Sequence, residues 1–201
     1  MVAQGMAKLA ELMARIADEG DARIPPLARG CLLVLSQQLQ ELQLKVSEIE
    51  RALHAWHRSN ETSCRLETIP GIGPITASLI TATVGDAIGS FKSARHFAAW
   101  LGLVPRQHSS GGKTRLGRIT KAGNSEIRRL LVLGATSMVH RAAQWNSAAG
   151  AWLRGVLERR PVRLAAVALA NKMARIAWAV MTRGETYQAK GRGQVAAAAG
   201  A

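Results

Sequence analysis

The chain has 201 residues, enough for one substantial hydrophobic core with an extended element beside it and too few for several large domains. Its 27 Lys and Arg against 13 Asp and Glu give a formal charge of +14 and a pI near 11.3, a surplus that self-repels unless a polyanion relieves it. Two cysteines, Cys31 and Cys64, exclude a disulfide framework, and no unbroken apolar run reaches the roughly 20 residues of a membrane span.

Nucleic acid is therefore the expected partner, and a basic membrane-surface protein is the weaker competitor. The N-terminal stretch lacks the basic-then-apolar layout of a signal peptide, so the expectation is a soluble, cytoplasmic protein. His54, His57, His96, His108 and His140 are scattered and no cysteine pair has zinc spacing, so neither a metal nor another cofactor is expected in this chain. His54 and His57 lie one helical turn apart and read as surface residues.

In chain order, Met6, Leu9, Met13 and Ile16 mark a short amphipathic helix, broken by Glu19-Gly20-Asp21 and Ile24-Pro25-Pro26. Leu32, Leu35, Leu39, Leu42, Val46, Ile49, Leu53 and Trp56 then alternate at three and four residues, a heptad seam flanked by Gln37, Gln38, Glu41, Lys45, Glu48 and Arg51. So narrow a stripe needs a partner helix, which favours an intermolecular or antiparallel coiled coil over a long helix packed on its own domain. Residues 32–56 are thus the expected homo-oligomer contact. The polar stretch His57 to Ser63 ends the seam. Beyond it, short helices are expected at Ile75 to Val84, Ala94 to Leu101 and Ser125 to Ala142, and a stronger one from Val162 to Met181, in which Lys172 and Arg175 lie one turn apart. Gly184 punctuates its end. The Gly- and Ala-rich tail has nothing to pack and is expected to be disordered. The expected fold is mainly α with little sheet, divided into a coiled-coil region at 1–65, a compact helical domain at 66–187 and a tail at 188–201.

The segment from Ile69 to Arg129 carries the expected contact with phosphates. Ile69-Pro70-Gly71-Ile72-Gly73-Pro74-Ile75-Thr76-Ala77 sets two glycines around one apolar residue ahead of a helix with proline in its first turn. Glycine permits a tight hairpin and removes side chains that would hold a polyanion away, while the N–H groups at the helix start can cradle a phosphate oxygen. The pattern resembles a helix-hairpin-helix element in which Ile72 plugs the turn into the core and Ala77, Leu79 and Ile80 pack the second helix on the first. A dinucleotide fingerprint does not fit, because no strand precedes the glycines and no third glycine follows at the required place.

Farther on, Arg106, Lys113, Arg115, Arg118, Lys121, Arg128 and Arg129 crowd together with one acid, Glu126. Interleaved glycines suggest irregular backbone able to approach a ligand. Asn124 or Ser125 can cap the helix that follows. A hydroxyl among guanidiniums is what nucleophilic phosphoryl transfer needs, with Ser109 and Ser110 as candidates. On physics alone the reading of both as ordinary turn residues of an RNA- or DNA-binding loop is favoured, because serine in Gly-rich loops is routine.

The Ile69-Pro-Gly-Ile-Gly-Pro motif, the Gly85-Asp86 to Phe91 turn, Ala99-Trp-Leu-Gly-Leu-Val-Pro-Arg, Ser110-Gly, Arg118-Ile-Thr-Lys-Ala-Gly-Asn and Ala168-Leu-Ala-Asn-Lys-Met-Ala-Arg-Ile-Ala-Trp together resemble the C-terminal domain of DEDD-type insertion-sequence transposases of the 110/1111 family. The resemblance runs from about Leu66 to Tyr187, with the heptad helix matching that family's coiled coil. It implies a phosphoserine link to DNA formed by Ser110, with Ser109 as fallback and Ser125 weaker, guided by a structured RNA. It also implies an N-terminal RuvC-like domain whose four carboxylates hold magnesium. Asp18, Glu19 and Asp21 lie at a helix end and read as surface charges, not as that site. The chain thus resembles a truncated C-terminal portion, expected to bind DNA and guide RNA without recombining DNA alone. A non-catalytic binding module, or a partner that poisons a full-length copy through the heptads, are the alternatives.

Overall fold

The computed structural model describes residues 6–18, 23–108, 113 and 115–189, without side chains for 6–10. The chain forms two compact units, Met1–Ala52 and Leu53–Ala201.

The first unit holds α1 (Met6–Ala17) and most of α2 (Pro26–Ser59). Pro26 sits at the first helical position, where its missing N–H costs nothing and its fixed φ suits the helix. Arg29 reaches back to donate to the carbonyls of Ile16, at 2.9 Å, and Asp18, oxygens that the end of α1 leaves without intrahelical donors. Over its 34 residues α2 extends about 50 Å at 1.5 Å per residue. The seam residues Leu35, Leu42, Val46 and Ile49 are each more than half exposed, as are Val34 and Leu44 beside them.

The second unit begins in the last turns of α2. Asn60 caps α3 (Glu61–Glu67), its side-chain oxygen accepting from the Ser63 amide at 2.9 Å. A tight turn leads to α4 (Pro74–Val84), a 3-10 turn at Ile88–Ser90 and α5 (Ala94–Trp100). A two-stranded antiparallel hairpin follows, β1 (Pro105–Gln107) with β2 (Leu116–Ile119), pairing Pro105 with Ile119 and Gln107 with Leu116 around an irregularity. Three helices complete the unit: α6 (Ser125–His140), α7 (Ala148–Leu157) and α8 (Val162–Arg183).

α8 is the spine of this unit, packed against α3, α5, α6 and α7. Its buried face, Ala165, Ala166, Leu169, Ala170, Met173, Ala174, Ala177 and Val180, is mostly alanine, which lets neighbouring helices come close. Leu66, Ile69, Ile80, Phe97, Leu101, Leu103, Ile127, Leu131 and Leu153 close around it without exposure to solvent. Each such side chain contributes about 1.5–3 kcal/mol by leaving water. α8 is the one helix of the described residues long and apolar enough by composition to cross a membrane, but it carries Arg163, Lys172, Arg175 and Arg183 and forms the core here. Gly184 ends it in the left-handed conformation (φ 68°), its N–H donating to the Val180 carbonyl at 3.0 Å.

The mainly helical expectation matches, and the expected helices fall within a few residues of those found. Three features differ. α7 was not expected, because Ala148-Ala149-Gly150-Ala151 masks its period; Ser147 caps it, and a β-carbon on Gly150 would lie 2.0 Å from the Trp145 carbonyl oxygen. The basic segment, expected to be irregular, pairs into the β1–β2 hairpin. His57, read as a surface residue, is buried: its Nδ1 hydrogen-bonds with Ser63 Oγ at 2.7 Å and its Nε2 with Glu67 Oε2 at 2.8 Å. The tail's expected disorder concerns residues that, from 190 on, lie outside those described.

Candidate nucleic-acid interface

The turn between α3 and α4 closes with the Ile72 amide donating to the Ile69 carbonyl at 2.9 Å, and buries Ile69 and Ile72. Ala77 and Ile80 are fully buried behind it and Leu79 packs against the same core. Only one of the two glycines needs its conformational freedom. Gly71 has φ 90°, and a β-carbon there would stand 2.9 Å from Met173 Cε and 3.0 Å from Met138 Cγ. Gly73 has φ −97° and open space where a side chain would be. It occupies the N-cap of α4 with no side-chain cap, and the first bond back to it comes from the Ala77 amide at 2.9 Å. Gly73 is exposed and Ile75 half-exposed at the start of α4, where the Ile75 and Thr76 amides have no carbonyl one turn back within the helix.

The turn is seated on α6 through a contact the sequence did not advertise. A β-carbon on Gly134 would lie 1.9 Å from the Gly71 carbonyl oxygen, so backbone meets backbone there. Beside this seat runs a groove of about 510 Å³ lined by Gly71, Gly73, Ile75, Leu130, Leu133 and His140 among others.

The β1–β2 hairpin is exposed along both strands but braced at its root. The Thr120 amide donates to the Val104 carbonyl at 2.9 Å and the Lys121 amide to the Gly102 carbonyl at 3.1 Å. Lys121 adopts φ 57°, unusual for a side-chain-bearing residue, and Gly123 (φ 65°) lies so close that a β-carbon would fall 1.9 Å from the Trp100 carbonyl oxygen. Arg128 donates to the carbonyls of Leu101 at 3.0 Å and Ala122 at 2.7 Å, and Asn171 of α8 donates to that of Leu103 at 3.1 Å. These bonds join both ends of the hairpin to the core.

On this rigid root, Arg106, Arg118 and Lys121 line one cleft of about 340 Å³ with His108 and Ile119. The Arg106 guanidinium also donates to the Thr120 carbonyl at 3.3 Å. Lys113 and Arg115 are exposed farther out along the hairpin. Arg128 acts as the brace just described, and Arg129 pairs with Glu126 at 2.8 Å on the first turn of α6. Asn124, not Ser125, caps that helix, its side chain accepting from the amides of Glu126 and Ile127. Ser125 is the first helical residue and is exposed. Ser109 and Ser110 belong to the segment joining β1 to β2 and lie outside the described residues.

His108 and Asn171 are the residues of this region that sequence reasoning left without a role. Arg106 and His108 are two apart, the strand period, a signal visible only once the segment is read as a hairpin. The Ser63–His57–Glu67 chain has the order of a nucleophile, base and carboxylate, but Ser63 is wholly buried and its Oγ meets Ser78 Oγ at 3.4 Å. No substrate reaches it, so it serves as a brace between the end of α2, α3 and α4. The described residues hold no group of three or more His, Cys, Asp or Glu able to bind a metal ion.

Fold and site together define a basic helical domain built on a helix-hairpin-helix turn and a cationic β-hairpin. Residues 63–150 match the transposase IS116/IS110/IS902 family. It is 46% identical over 196 residues to the putative transposase y4pF/y4sB of Sinorhizobium fredii, covering 96% of this chain and 50% of that protein. It is 43% identical over 185 residues to a probable family 20 transposase of Pseudomonas aeruginosa, covering 92% of this chain and 54% of the relative. To the transposase for insertion sequence element IS1328 of Yersinia enterocolitica it is 43% identical over 164 residues, 82% of this chain and 49% of the relative. The chain thus spans about half the length of these curated relatives.

Proposed function

We propose that this chain is the nucleic-acid-gripping C-terminal part of an insertion-sequence transposase and works in DNA transposition. The observation that carries the reading is the cleft where Arg106, Arg118 and Lys121 converge on a braced hairpin root, in a chain of charge +14. Such cations neutralise phosphates and release counterions, giving affinity without sequence preference. The Gly71–Gly73 turn adds amides that donate to a phosphate oxygen and help position the duplex. Lys113, Arg115 and Arg129 extend the charged surface, and Arg128 holds it in place.

Ser110, with Ser109 as fallback, is the proposed nucleophile. Its oxygen forms a bond to phosphorus as a sugar oxygen leaves with the proton, and the neighbouring guanidiniums stabilise the charge on the phosphoryl oxygens. The resemblance assigns the carboxylates this step requires, and their magnesium, to the RuvC-like domain of the family. Guide RNA is a second proposed ligand. The exposed seam of α2 supports pairing of two copies through residues 32–56.

The test supplies the carboxylate domain in trans with guide RNA and looks for covalent attachment of this chain to DNA. Attachment lost in Ser110→Ala, with DNA affinity retained, supports the assignment. Attachment that survives the substitution removes Ser110 from the mechanism, and binding without attachment under any condition leaves a non-catalytic binding module.

A further inference from the structure

Away from the hairpin, α8 builds a second cationic groove. Lys172, Ile176, Ala179 and Arg183 recur at intervals of three and four, with Arg175 beside Ile176, so they form one stripe along the helix. At Gly184 the chain reverses, and Glu185 to Ala189 line the other side; the Tyr187 amide donates to Thr68 Oγ1 at 2.8 Å and its ring packs on the core. Between stripe and return lies a groove of about 630 Å³, floored by Ile176, Ala179 and Val180.

The charges of this groove are poorly balanced. Among the described residues no carboxylate stands within ion-pair distance of Lys172, Arg175 or Arg183, and Glu185 is the one acid on the lining. The Lys172 ammonium is half-buried, 4.4 Å from the Trp152 ring centre, and burial together with the neighbouring Arg175 pushes its pKa below the ordinary lysine value. An anion entering the groove would favour the charged ammonium and so offset both effects.

Spacing selects the kind of anion. Lys172 and Arg183 are eleven residues apart on one helix, about 16 Å at 1.5 Å per residue, too far for one small anion to bridge. A chain of phosphates, recurring about every 3.4 Å of duplex axis on each strand, presents charge over that whole length. We propose that the α8 groove is a second phosphodiester-binding site that takes one strand of nucleic acid along Lys172, Arg175 and Arg183. It shares no lining residue with the hairpin cleft, and the inference rests on the nucleic-acid reading above.

The test measures affinity against salt concentration for duplex DNA and for a structured RNA, using the full chain. The groove variant Lys172→Gln/Arg175→Gln/Arg183→Gln is compared with Arg183→Gln alone, an exposed site that leaves the fold intact. The slope of log affinity against log salt should become shallower by about 2–3 in the triple variant and about 1 in Arg183→Gln, at roughly 0.9 per phosphate on duplex. A change confined to one ligand names DNA or RNA as the occupant. Unchanged slopes on both ligands, while Arg106→Gln/Arg118→Gln/Lys121→Gln still flattens them, overturn the groove and spare the hairpin. Failure of the unmodified chain to bind either ligand overturns both readings.

Discussion

In the proposed function the Gly71–Gly73 turn and the β1–β2 hairpin meet the same class of ligand by opposite means. The turn offers backbone amides, and its geometry comes from burial: Ile69 and Ile72 lie in the core and Gly71 rests directly on Gly134. The hairpin offers side chains, is exposed along its two strands, and is tied to the core at its root by Arg128, Asn171 and the close-packed Gly102 and Gly123. The difference teaches that charge and shape have been assigned to separate elements. Substitutions should therefore separate stability from affinity cleanly.

The largest effect is expected at the seat of the turn. Gly134→Ala forces a methyl into the Gly71 carbonyl and should cost about 2–3 kcal/mol, read as a fall of several degrees in the unfolding midpoint. Gly73→Ala, with open space around it, should stay within about 0.5 kcal/mol while weakening nucleic-acid binding. Equal destabilisation by the two would erase the distinction drawn between the glycines. Next comes the hairpin root. Arg128→Ala leaves the carbonyls of Leu101 and Ala122 without that donor and should cost about 1–3 kcal/mol, whereas Arg118→Ala should leave the midpoint nearly unchanged and flatten the salt dependence by about one phosphate. If Arg118→Ala unfolds the protein and Arg128→Ala does not, brace and contact have been assigned the wrong way round.

The smallest effect concerns Tyr187, the one tyrosine of the chain, whose burial raises its phenol pKa above 10.0. Its packing contributes stability fully below pH 10.0, and that contribution is lost as pH rises through the higher folded value. Phenolate absorbance should therefore rise at higher pH in the folded protein than in denaturant. Coincident titrations would mean that the residue is solvated in the fold.

Much of this was legible in the sequence because helical periodicity survives wherever large apolar residues mark it. The stripe from Leu32 to Trp56, the plug at Ile72 and the end of α8 at Gly184 all follow from spacing and from glycine and proline chemistry. What stayed hidden depends on contacts distant in sequence. Gly134 inside a helix gave no sign of the backbone it meets 63 residues earlier, and Asn171 gave none of the Leu103 carbonyl it holds. His57 looked solvated because its partners Ser63 and Glu67 lie on the next helix, and α7 lacked the large residues that would announce its period. Arg128 and Arg118 read alike as cations; only the fold shows that the first donates to the protein's own carbonyls.

The most direct measurement is the affinity of the full chain for two duplexes of unrelated sequence across a range of salt, repeated with Arg106→Gln/Arg118→Gln/Lys121→Gln. Similar affinities for both duplexes are expected, with a steep fall with salt and a slope shallower by about 3 in the variant whose fold is unchanged. A slope that the three substitutions leave untouched would contradict the proposed function.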